Sequence, residues 1–214
     1  MPSHLPFENL CFISYRSGEH DLTRQFINDL FEGLSGELET LHSGKVFVDW
    51  DRLRGGDFFN QALARALCRS VCMVLVYTPM YFDLERPYCA REYRAMLDLE
   101  EQRLAALGGP VGSTSGLIIP VVFRGRDRLP QEIVNKRHCH DFGDFTLYGR
   151  HMYEHVDYAP KIKEIAEYIR DRCDEFRSKP EAFDDCDSFD FPSEETIRPW
   201  LEKVAGSPPP FPRA

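Results

Sequence analysis

The run Val71-Cys-Met-Val-Leu-Val-Tyr77 constrains this chain more than any other segment. It offers no polar face and closes at Thr78-Pro79, so it reads as a buried strand. A strand that breaks at a proline and gives way to a helix marks the carboxyl edge of a sheet, where ligands bind in α/β folds. Tyr81 follows, then Tyr88-Cys-Ala-Arg-Glu92. If a helix is running by Tyr88, then Tyr88 and Glu92 lie one turn apart on one face. An aromatic plate beside a carboxylate suits a ring-bearing, cationic ligand. The plainer alternative is a solvated first-turn acid favoured by the helix dipole.

The rest of the chain alternates strand and helix patterns. Leu10–Tyr15 is a short strand closed by Arg16-Ser-Gly18. Leu22, Phe26, Ile27, Leu30, Phe31 and Leu34 recur at helical spacing from Asp21, and the pattern predicts a stop near Ser35-Gly36. Lys45–Asp49 is a second strand, followed by a loop with paired glycines, Gly55 and Gly56, and a helix over Phe58–Cys68. A helix around 88–107, a glycine-rich connector, a strand Leu117–Phe123 and a short strand near 137–142 come next. Pro120 removes a ladder donor, which predicts an edge position or a bulge. Tyr158, Ile162, Ile165, Ile169, Cys173 and Phe176 mark one face of a long closing helix. Strands alternating with helices imply a parallel sheet covered on both faces. From about Lys179 the chain turns acidic and then proline-rich, with a short helix over Ser193–Val204 capped by Ser193. Phe189, Phe191 and Trp200 are expected to dock this extension on the domain and steady its last helix.

With 214 residues the chain holds one domain of full size plus the extension. A net charge of -9 argues against a nucleic-acid backbone as main partner. No apolar run approaches the roughly 20 residues that cross a bilayer, and the amino terminus lacks the regions of a signal peptide. The expectation is a cytoplasmic protein without a membrane partner, its seven cysteines reduced thiols. His138-Cys139-His140 is the nearest thing to a metal cluster. Neighbours in a strand point to opposite faces, so all three cannot converge on one ion, and no metal is expected.

Several groups then collect at one end of the sheet. Tyr15 and Arg16 end the first strand, Asp49 and Trp50 end the second, and Thr78, Tyr81, Tyr88 and Glu92 follow the third. That is the layout of a cleft for a nucleotide-sized ligand. Phe12-Ile-Ser-Tyr15-Arg16, then Val46-Phe-Val-Asp49 through Asp51-Arg-Leu-Arg-Gly-Gly-Asp-Phe58, then Thr78-Pro79, Tyr81, Tyr88-Cys89 and Glu92, resemble the motifs of the Toll/interleukin-1 receptor (TIR) domain. The resemblance covers about residues 8–176. Tyr88 and Thr78 stand where the enzymatic members carry Trp and Ser.

The resemblance implies a flavodoxin-like fold, with a central parallel sheet of about five strands and helices on both faces. It assigns residues 1–178 to the TIR domain and 179–214 to the extension. It also implies an activity, because TIR domains that keep the glutamate cleave the nicotinamide–ribose bond of NAD+. By that resemblance Glu92 is the catalytic carboxylate, and Tyr15, Arg16, Asp49, Trp50, Gly56, Phe58, Tyr81 and Tyr88 contact the substrate. NAD+ is then substrate, and no cofactor is expected. The stand-alone layout resembles small bacterial TIR proteins of Thoeris-type anti-phage systems, in which a separate effector senses the product. Self-association through the BB loop, Asp51–Asp57, is implied too. The alternative is a non-catalytic TIR–TIR interaction module. A nucleoside deoxyribosyltransferase shares glutamate-based ribosyl chemistry, but the first two motifs fit it poorly.

Overall fold

A computed structural model of the chain describes residues 7–17, 21–49, 57–108, 115–145, 147, 150–177 and 186–206, and for 21, 57–60 and 206 it describes the backbone alone. Five parallel strands form one sheet in the order β2-β1-β3-β4-β5. They are β1 (Asn9–Tyr15), β2 (Lys45–Val48), β3 (Ser70–Tyr77), β4 (Ile118–Val122) and β5 (His140–Asp141). This is the doubly wound flavodoxin-like order, whose direction of winding reverses between β1 and β3. All of β1 and all of β3 are buried, as expected for central strands covered on both faces.

The helices are α1 (Asp21–Leu41), α2 (Asp57–Cys68), α3 (Tyr88–Ala106), the short α4 (Gln131–Val134), α5 (Tyr158–Arg177) and α6 (Glu194–Gly206). α1 and α5 pack together on one face of the sheet, and α2 and α3 pack together against it as well. Phe26 of α1 stacks on Phe123 just after β4, with ring centroids 4.0 Å apart. α1 and α5 approach closely at Gly33, where a Cβ would meet the Tyr158 hydroxyl at 2.0 Å. That hydroxyl donates to the Asp29 carbonyl at 2.6 Å.

α1 does not stop at Ser35-Gly36. It runs on to Leu41 because Leu34 and Leu38 both bury, and that packing outweighs the glycine's preference for disorder. Pro120 is not on an edge strand either, since β4 lies between β3 and β5. The bonds from Met73 N to the Leu117 carbonyl and from Phe123 N to the Tyr77 carbonyl show that odd-numbered residues of β4 face β3. Pro120 therefore faces β5, whose pairing begins only at Val121↔His140, and its missing N–H breaks no ladder bond.

Among the described residues, the helix of the extension, α6, packs on α3. Ser193 caps α6 through its hydroxyl, which accepts from Thr196 N at 3.2 Å. The Trp200 ring stacks on Tyr93 at 5.8 Å and meets Phe82 edge-on at 5.7 Å, while its indole N–H donates to Glu132 at 3.2 Å. Ile197 and Leu201 are buried beneath it. Arg91 of α3 donates to the Pro192 carbonyl at 2.7 Å and lies over the Phe191 ring.

The expectation of seven free thiols fails for one pair. Cys186 is disulfide-bonded to Cys68 at the end of α2, across a sequence separation of 118, while Cys11, Cys72, Cys89, Cys139 and Cys173 are free thiols. Nothing in linear spacing pairs these two, because only the folding-back of the extension brings them together. A bond closing so long a loop removes much conformational freedom from the unfolded chain. Changing Cys186 to Ser is expected to lower unfolding free energy by about 2–4 kcal/mol, and Trp200→Ala by about 3 kcal/mol. Denaturant titration of full-length protein measures both. Unchanged midpoints would mean that the extension does not hold α3.

Candidate active site

Three segments meet around Glu92, at the carboxyl ends of β1 and β3. β1 delivers Ser14, Tyr15 and Arg16. The turn after β3 delivers Tyr81 and Asp83, and the first turn of α3 delivers Tyr88, Cys89 and Glu92. Pro87 stands just before α3, where a missing N–H costs the helix nothing, and its carbonyl accepts from Arg91 N at 2.9 Å. This is the β1/β3 switch point, where doubly wound sheets leave a crevice.

Glu92 is only 1% exposed. The Ser14 hydroxyl donates to its Oε2 at 2.5 Å, and the Tyr81 hydroxyl lies 2.6 Å from the Ser14 oxygen. A carboxylate accepts only, so Ser14 spends its one proton on Glu92 and must accept from Tyr81. The result is a directed chain, Tyr81 O–H to Ser14 O–H to the Glu92 carboxylate. Short contacts of this kind, with one ionised partner, are the stronger class of hydrogen bond. Nearby, burial pushes the Tyr77 and Tyr93 phenols up to about 12.

Tyr88 stands one turn before Glu92 and is 53% exposed, so an aromatic plate at the surface lies above a buried acid. Tyr81 is fully buried, behind Ser14, and packs edge-on against Phe82 at 4.9 Å. Tyr15 is buried as well; its hydroxyl donates to the Asp49 carbonyl at 2.9 Å, tying the end of β1 to the end of β2. Asp49 is buried beside it. The Cys89 thiol donates to the Tyr15 carbonyl at 3.3 Å and fixes α3 to β1. Arg16 is paired with Asp83 at 3.3 Å, both side chains less than one-fifth exposed. An anionic ligand at Arg16 must compete with that carboxylate. Trp50, Gly56 and the Asp51–Gly56 part of the BB loop lie outside the described residues, as does the Phe58 side chain.

Sequence reasoning did not single out Ser14, the residue in direct contact with the acid. A signal was available: Ser14 is the lone aliphatic hydroxyl in the run Leu10–Tyr15, and a polar group buried in a central strand must find a partner. Asp83 carried no comparable signal.

The TIR domain family model matches residues 11–152, which spans β1 through the segment before α5. This chain belongs to the TIR domain family. No curated protein matches the chain. The match takes in every residue of the Glu92 cluster, and the parallel five-stranded sheet is the one such domains share. The TIR domain family includes NAD-cleaving enzymes and signalling modules that self-associate, so membership alone leaves both roles open. No helix among the described residues is long and apolar enough to cross a membrane.

Replacing Ser14 by Ala removes the donor to Glu92 while keeping a small side chain in the strand. A hydrogen bond to a charged group is worth about 1.5–3 kcal/mol, so this TIR protein is expected to lose that much stability at neutral pH. Thermal or denaturant unfolding of Ser14→Ala reads it. A variant as stable as the parent would mean that the short contact contributes nothing.

Proposed function

We propose that this TIR protein cleaves the bond between nicotinamide and ribose in NAD+, with Glu92 as the catalytic carboxylate. The observation that carries this reading is the Glu92 carboxylate itself, buried at the switch point, held by Ser14, and one helical turn beneath an exposed Tyr88. A buried acid at a sheet's ligand-binding edge is costly to keep unless it serves a ligand or a network.

The chemistry follows from charge. The nicotinamide ring of NAD+ is a cation, and as the C1′–N bond breaks its electron pair stays with the ring nitrogen, so neutral nicotinamide leaves. Positive charge passes to C1′ and the ring oxygen of ribose. A fixed carboxylate stabilises that oxocarbenium-like state more than the ground state, the condition for catalysis. Water adding to C1′ and losing a proton gives ADP-ribose; attack by an atom within the molecule gives a cyclic isomer. In this account Ser14 and Tyr81 are positioning residues that hold the Glu92 carboxylate in place. Tyr88 offers its face to the nicotinamide or ribose ring. Arg16, with its planar fork, pairs with pyrophosphate after release from Asp83. By the family resemblance, Asp49, Tyr15, Trp50, Gly56 and Phe58 also contact the substrate.

By its resemblance to Thoeris-type proteins, this chain works in bacterial anti-phage immunity, making an ADP-ribose-derived signal for a separate effector. Self-association through Asp51–Asp57 completes the site between protomers in that resemblance, and the reaction takes place in the cytoplasm. The test is nicotinamide release from NAD+ by wild type and Glu92→Gln, both in the assembled state. Removal of the charge is expected to slow release by about 10²–10³-fold, the cost of deleting one preorganised electrostatic group. Equal rates would end the catalytic assignment. Assembly without any NAD+ binding would favour the interaction-module role.

A further inference from the structure

A second cluster lies at the other end of the sheet order, on β5 and α5. The chain is extended as it enters β5, so His138 and His140 fall on one side and Cys139 on the other. The two imidazoles stand 5.0 Å apart between centroids at 86°, while the Cys139 thiol turns back to the Arg137 carbonyl at 3.5 Å. Glu164 reaches in from α5. Its Oε1 is 3.8 Å from His138 Nε2, and its Oε2 is 3.7 Å from His140 Nδ1.

Neither separation is a hydrogen bond. A carboxylate is bracketed by two imidazole nitrogens, with a gap on each side, and the three ligand atoms all lie within 4.8 Å of one another. Tetrahedral zinc with ligand bonds of about 2.0–2.1 Å places its donors roughly 3.3 Å apart. Closing the remaining distance falls to the two exposed side chains, His138 (77% exposed) and Glu164 (60%), beside the buried His140. The same three residues line a cavity of about 780 Å³, together with Ile118, Leu104 and Tyr168.

The geometry points to a divalent transition-metal site, filled by Zn²⁺, with His138 Nε2, His140 Nδ1 and Glu164 as its protein ligands and a fourth position open to the cavity. Two imidazoles and one carboxylate select a borderline cation over Mg²⁺ or Ca²⁺, which prefer all-oxygen shells. Nearby cations do not close the site. Arg137 is neutralised by Glu100 through bonds of 2.6 and 3.0 Å, and the Lys161 ammonium lies over the Phe142 ring at 5.6 Å. Lys136 lines the same cavity, where Glu167 and Asp171 are paired with Lys163 and Arg170. Three protein ligands with one open position is the pattern of zinc sites that take water or a small ligand, not of closed structural ones. The metal would also join the two-residue edge strand β5 to α5.

The expectation of no metal rests on Cys139, which cannot share a face with His138 and His140. Dropping Cys139 and adding Glu164 removes that objection.

The test uses full-length protein stripped with a chelator and titrated with Zn²⁺ by calorimetry and with Co²⁺ by absorption. One metal per chain is expected, with a cobalt spectrum free of thiolate charge transfer. His138→Ala and Glu164→Gln alter exposed side chains that the fold does not need, and each is expected to weaken binding about 100-fold. His151→Ala, on another segment, is expected to bind as the parent does. No saturable binding below about 1 mM, affinity unchanged in both ligand variants, or a thiolate band lost in Cys139→Ser would overturn the assignment.

Discussion

A carboxylate withdrawn from water must be met by donors, and in this fold a donor to Glu92 comes from the central strand. Ser14 sits near the end of the fully buried β1, which is paired on one side with β2 and on the other with the fully buried β3. Its register is set by Ser14↔Leu75 on β3, and its hydroxyl is oriented by Tyr81 from the turn beyond that strand. The 2.5 Å bond to Glu92 therefore joins β1, the β3–α3 turn and the first turn of α3 into one unit. Cys89 repeats the tie through the Tyr15 carbonyl.

α3 is held equally firmly from its outer side. Trp200 stacks on Tyr93, next in sequence to Glu92, and Arg91, just before it, is bonded to the extension through Pro192. Farther along, the buried Arg103 guanidinium donates to the carbonyls of Ser70 and Cys68, tying the last turn of α3 to the α2–β3 corner. The disulfide at Cys68 anchors the extension to that same corner. The helix bearing the acid is thus clamped between the sheet and the extension. Such support is what a preorganised electrostatic site requires, because a carboxylate that can relax stabilises nothing selectively.

Much of this was legible in the chain. The run Val71–Tyr77 had no polar residue to present to water, and it became a buried central strand; Tyr88 and Glu92, four apart, became neighbours on α3. What local pattern could not supply was anything that depends on distant segments meeting. Leu38 drew α1 past Gly36 only because it is buried in the folded core, and Cys186 found Cys68 only after the extension folded back. Glu164 reached His138 and His140 from 26 and 24 positions along the chain, where a spacing rule sees nothing. Ser14 stood in plain view, but its importance follows from burial beside an acid, which is a tertiary fact.

The central claim is that Glu92 performs the chemistry and Ser14 acts through it. A double-mutant cycle on nicotinamide release from NAD+, using wild type, Ser14→Ala, Glu92→Gln and the double variant in the assembled state, tests this most directly. The account expects Ser14→Ala to slow wild type and to cost nothing further once Glu92 is Gln. Independent, additive losses, or a Glu92→Gln enzyme as fast as wild type, would contradict it.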